Sequence, residues 1–119
     1  MKSFFFSLRH ALRGVCVAWR EERNFRLQII LATLALIAAL VLRISASELA
    51  IVIFCIALVL GAEILNTLVE DLCNKLEPQF DPVIGKLKDL MAAIVLVQAL
   101  GAFIIGMLIF WPYLGLVQS

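Results

Sequence analysis

No glycine-rich phosphate loop runs through this sequence. Its six glycines are scattered, no GxxxxGK[ST] is present, and neither an HRD nor a DFG element occurs, so no soluble-kinase fold is encoded. Cysteine is scarce: Cys16, Cys55 and Cys73 are odd in number and share no CxxC or other metal spacing. They read as small apolar filler in a reducing or lipid environment. Charge is sparse as well, at 16% of residues, and it is missing altogether from Leu49 to Ala62 and from Leu90 to Trp111. No signal-peptide cleavage pattern precedes the first apolar run.

What is present is apolar. Hydrophobic residues make up 64% of the 119 and mean hydropathy is +1.07, far above the ~45–50% apolar usage of soluble domains, so the sequence describes an all-α integral membrane protein forming one domain. Three spans are predicted, at 27–43, 48–77 and 88–111. In the first, Gln28 and Thr33 interrupt the apolar run and Arg43 closes it. Ser47 is the expected N-cap of the second. If that helix continues to about Glu77, its ~43 Å exceeds the ~30 Å hydrocarbon core, and its last turns enter water. Pro112 and Tyr113 mark the exit of the third. Residues 1–24 form a further helix: Phe5, Leu8, Leu12, Val15, Cys16 and Trp19 make an apolar stripe about 100° wide, with Lys2, Arg9, Arg13 and Arg20 along one edge. That pattern suits a surface helix on the inner leaflet and equally a helix packed on the bundle.

Orientation follows from the cations. Lys2, Arg9, Arg13, Arg20, Arg23, Arg26, Lys75, Lys86 and Lys88 fall on one side and only Arg43 on the other, which places the N-terminus and the second loop in the cytoplasm.

Polar residues then stand out against this background. Glu63, Asn66, Glu70 and Asn74 fall within an arc of roughly 80° on the second helix, with the two glutamates ~10 Å apart along it. Ionisable groups at membrane depth are costly and mark function. Glu21, Glu22, Arg23, Asn24 and Arg26 reach the same depth at the mouth of the first span. Lys88 and Asp89 stand before 22 uncharged residues. Asp89 also reads as an acid in a first helical turn, favourable to the helix dipole. Two acids seven apart, a third from another helix and a lysine suit a divalent cation with polyphosphate. Phosphoryl transfer needs little beyond that positioning and a base for an acceptor hydroxyl held at the lipid–water boundary.

The strings Glu63-x-x-Asn66-Thr67-x-x-Glu70, Lys88-Asp89-x-x-Ala92-Ala93 and Glu21-Glu22-Arg23-Asn24-x-Arg26 resemble the small bacterial diacylglycerol kinase and undecaprenol kinase family over nearly the whole chain. The resemblance implies a homotrimer in a bacterial cytoplasmic membrane. Each protomer would have a surface helix and three transmembrane helices, with active sites built between protomers at the cytoplasmic interface, and would phosphorylate a lipid alcohol with ATP and Mg2+. It implies Glu63 as catalytic base and Glu22 with Glu70 as the metal pair. Asn66, Glu70, Gln79, Phe80, Asp81, Lys88 and Asp89 match nucleotide-contacting positions, and Asn24, Arg26, Glu63 and Ala92 the lipid-substrate positions. No nucleic acid is implied.

Three positions depart from that family: Asn74 where an Asp is usual, no His near Asp81, and Ala92 for a Ser of the diacylglycerol kinase branch. The last, with the Glu21–Arg26 string, leans toward the undecaprenol branch. Two other classes fit the residues. One is an impaired relative acting as a lipid-binding scaffold, for which Asn74 is the only support. The other is a small ion- or solute-conducting oligomer, for which the acids should lie near the midplane rather than toward one end.

Overall fold

A computed structural model of the chain describes residues 2–76 and 81–118. The described residues are helical nearly throughout: α1 Lys2–Glu21, α2 Arg23–Leu42, α3 Ala46–Leu76 and α4 Pro82–Gln118. Three of them, α2, α3 and α4, are long and apolar enough to cross a membrane. The expected end of α3 near Glu77, and with it Gln79 and Phe80, lies outside the described residues.

Local chemistry sets the helix ends. Glu22 takes extended backbone (φ −112°, ψ 110°) between α1 and α2. Arg26 reaches back from α2, and its Nη1 donates to the carbonyls of Trp19 (2.8 Å) and Arg20 (3.0 Å), satisfying the last turn of α1. Arg43 ends α2 in the left-handed region at φ 54°, and the amide of Ile44 returns to the carbonyl of Ala39.

The start of α3 differs from the expectation at Ser47. Ser45 is the cap: its Oγ accepts from the amide of Glu48 at 3.1 Å, and the Glu48 carboxylate accepts from the amide of Ser45 at 3.1 Å. This reciprocal box needs an acid three residues after the cap, and only Ser45 has one. At α4, Asp81 Oδ1 accepts from the amides of Val83 (2.8 Å) and Ile84 (3.3 Å), and Pro82 occupies the first helical position, where its missing N–H is harmless. Asp89 therefore stands beyond the first turn of α4, and the dipole reading of that residue fails. Pro112 does not end α4 either: the helix passes through it to Gln118.

Two contacts tie α3 to α4, which run antiparallel. Near one end Lys88 Nζ donates to Asn74 Oδ1 at 2.6 Å; near the other the Tyr113 hydroxyl donates to the Glu48 carboxylate. The two ties span nearly the same number of residues on each helix, so the register holds throughout and Gln98 lies level with Glu63 and Ile64. The molecule is a slab of 58 × 42 × 21 Å, about two helix diameters thick. Few apolar side chains are buried within it, Phe25, Val52, Met91 and Ile109 being the larger ones, while Leu40, Val41, Phe54, Phe103, Leu108 and Trp111 stand exposed. Such faces are tolerable only against lipid or protein.

Candidate functional site

Glu63 is the most enclosed polar side chain of the described residues, with 2% of its surface exposed. It is carried by α3 and met by the start of α2. Gln28 Nε2 of α2 donates to Glu63 Oε2 at 3.5 Å, a long hydrogen bond. Thr67, one turn on, donates its hydroxyl to the Glu63 backbone carbonyl at 3.1 Å, so no hydroxyl is left unpaired there. Glu63 Oε1 is buried with no partner. The carbonyl oxygens of Gln28 and of Gln98 are buried and unpartnered as well; the register of α3 against α4 puts Gln98 level with Glu63, and its hydrogen bond brings Gln28 there. Three acceptors without a donor in an apolar setting mark a place where a donor is expected to arrive.

Acids gather beside this layer. Glu22 is half-buried at the break between α1 and α2. Its carboxyl is held above the ordinary carboxylate range, first by desolvation and then by the negative charges of Glu70, Glu63, Asp71 and Glu21. Glu22 thus feels the negative charge of Glu70 within one chain, although 48 positions of sequence separate the two. Among the described residues no three acids, histidines or cysteines close into a complete metal cage. A Mg2+ ion would need only one or two of these carboxylates, since it completes its shell with water and substrate phosphate oxygens. A divalent cation there would also relieve the mutual repulsion that Glu22 experiences.

The other expected positions divide. Asn66 is half-buried on the same face as Glu63, and Glu70 is exposed one turn further along. Lys88 is half-buried and brought to that face by its bond to Asn74. Asp81 caps α4, Arg26 caps α1, and Asn24, Asp89 and Ala92 are exposed. Gln79 and Phe80 lie outside the described residues. Three contributors escaped the reading of the sequence, Gln98 among them. Gln28 was legible only as an interruption of an apolar run, although an amide at the depth of a buried acid is itself a signal. Asp71 was hidden as one more charge at a helix end.

The family model for prokaryotic diacylglycerol kinase matches residues 9–110. An undecaprenol kinase of Bacillus subtilis is 34% identical over 114 residues, covering 96% of this chain and 93% of the relative. A diacylglycerol kinase of Escherichia coli is 27% identical over 106 residues, covering 89% and 87%. A diacylglycerol kinase of Synechocystis is 33% identical over 101 residues, covering 84% of this chain and 58% of the relative.

Proposed function

The chain belongs to the prokaryotic diacylglycerol kinase family, and from that premise we propose that it is a multi-pass lipid kinase. It transfers the γ-phosphoryl group of ATP to the hydroxyl of a membrane lipid alcohol, undecaprenol or diacylglycerol, at the cytoplasmic face of a bacterial inner membrane. The observation that carries this reading is the buried Glu63 with one unpartnered oxygen, at the depth where the acids of α3 meet Glu22.

The chemistry follows from that placement. Glu63 Oε1 accepts the proton of the lipid hydroxyl. The lipid oxygen bonds to the γ-phosphorus, the bond from that phosphorus to the β–γ bridging oxygen breaks, and ADP leaves. Mg2+, when bound, supplies neutralisation of the phosphate charge, and Glu22 and Glu70 are the residues that would hold it. Lys88 meets the phosphates, while Asn66, Asp81 and Asp89 face the nucleotide; Gln79 and Phe80 are assigned to nucleotide contact by the family resemblance alone. Asn24, Arg26 and Ala92 line the approach of the lipid headgroup. Ala92 and the Glu21–Arg26 string favour undecaprenol of the two lipids.

The amphipathic α1 rests on the inner leaflet, with Phe5, Leu8 and Leu12 toward lipid and Arg9 and Arg13 toward phosphate headgroups. The working form is a homotrimer. The apolar faces that a slab 21 Å thick leaves uncovered support self-association in the membrane.

Transfer of label from γ-labelled ATP to undecaprenol or diacylglycerol in mixed micelles tests the reading. Phospholipid product that depends on Mg2+ and disappears in Glu63→Gln is expected. Absence of product with either lipid, from protein that still binds the magnesium nucleotide, would identify a lipid-binding relative instead.

A further inference from the structure

The hydrogen bond between Lys88 and Asn74 has a chemical asymmetry. A lysine ammonium has three donors and no acceptor. The carboxamide of Asn74 must therefore turn its oxygen toward Lys88, as the 2.6 Å contact from Nζ to Oδ1 has it. Its NH2 group is then directed away from the lysine. Asn74 is exposed and Lys88 half-buried, and the bond between them bridges the cytoplasmic ends of α3 and α4. That bridge lies one turn beyond Glu70 on α3 and at the start of the uncharged stretch of α4.

We propose that Asn74 and Lys88 form one polyphosphate-receiving unit: Asn74 Oδ1 fixes the ammonium of Lys88, and Asn74 Nδ2 adds a second donor to the same anion. This rests on the lipid-kinase reading and extends it by naming a binding partner for Lys88. The neutral amide gives this arrangement its second donor. A carboxylate at position 74 would also hold Lys88, but as an ion pair. It would present no donor, would cancel the lysine's charge and would repel the phosphates. An amide holds the lysine in place and leaves its full charge for the ligand. A lysine stem has four rotatable carbons, so anchoring its head before the nucleotide arrives removes part of the ordering cost of binding. Asn74 is thus a positioning residue for Lys88 as well as a ligand-facing donor.

The test uses the full-length protein in mixed micelles and reads KM for MgATP and kcat separately. Asn74→Ala is expected to raise KM about three- to tenfold, the scale of one net hydrogen bond to a charged group discounted for exposure, with kcat within about twofold. Asn74→Gln, which keeps both amide groups, should recover part of that loss, whereas a purely structural loss would appear equally in kcat and in thermal stability. In a double-mutant cycle with Lys88→Met, the effect of Asn74→Ala should largely vanish. Asn74→Asp should raise KM for MgATP and weaken its dependence on ionic strength. A fall in the Mg2+ requirement of Asn74→Asp with KM unchanged would overturn the proposal and make position 74 part of the metal's surroundings. If Lys88→Met raises KM while Asn74→Ala does not, the unit fails and the kinase reading stands; if neither moves it, Lys88 loses its phosphate role and the proposal falls with it.

Discussion

Replacing Glu63 with glutamine should abolish turnover and at the same time stabilise the fold. The carboxyl of Glu63 is 2% exposed, receives one 3.5 Å hydrogen bond from Gln28 Nε2, and leaves Oε1 buried without a donor. Gln28 Oε1, on the same amide, is buried and unpartnered too, so two acceptors are left facing a shortage of donors. Glu63→Gln keeps the shape of the side chain and converts one acceptor to an NH2 group, which lets the two amides exchange two hydrogen bonds where one long bond existed. Relieving a buried unsatisfied group is worth about 1–3 kcal/mol. Spread over a chain of this size, that corresponds to a rise in Tm on the order of 5 °C in detergent. Turnover should fall about 10²–10⁴-fold, the usual contribution of a positioned general base. The Kd for MgATP should hold within about twofold, since Glu63 touches the acceptor and not the nucleotide. Label transfer from γ-labelled ATP, isothermal titration with MgATP and thermal unfolding in one detergent give the three numbers. Turnover within about threefold of the parent would remove Glu63 from the role of base. Lost turnover with a large fall in Tm would show that the carboxylate is a structural group.

The remaining expectations concern the surroundings of that carboxylate. Glu22→Ala or Glu70→Ala should each raise the Mg2+ concentration for half-maximal activity and weaken nucleotide binding together; unchanged Mg2+ titrations in both would break the pair. Mixed oligomers of the two variants decide whether the pair lies in one chain: no complementation is expected if Glu22 and Glu70 of one protomer hold the metal, and recovered activity would show that the pair is shared between protomers. Arg26→Ala removes both donors to the last turn of α1, so α1 should fray at a cost of about 1 kcal/mol, read as faster amide exchange around Trp19 and Arg20; unchanged exchange would count against the cap. Tyr113→Phe breaks the tie to Glu48 at the far end of α3 and α4, and should lower Tm while leaving KM for MgATP and kcat untouched; a change in KM would mean that the two ends of the helix pair communicate.

Much of this protein follows from the order of its residues. Long uncharged runs must be helices in lipid, because nothing else satisfies the backbone there without a closed barrel. Cations crowded on one side set the expected orientation, and an acid at position 63 inside such a run is too costly to be idle. The Glu63 face was legible for the same reason: helix periodicity is fixed, so Glu63, Asn66, Glu70 and Asn74 share it by arithmetic alone. Only the tertiary structure decided how helices distant in sequence meet. It brought Gln28 to Glu63 across 35 positions and Glu22 into the field of Glu70, since the angle and register between helices are set by packing of many side chains and by no short motif. It moved the cap of α3 from Ser47 to Ser45 through a reciprocal bond with Glu48, and it carried α4 through Pro112. Asn74 is the sharpest case. In sequence it is a missing charge at the end of a polar stripe; in the fold it is the partner of Lys88, because a hydrogen bond between two helices is a property of their register, which neither helix's own sequence contains.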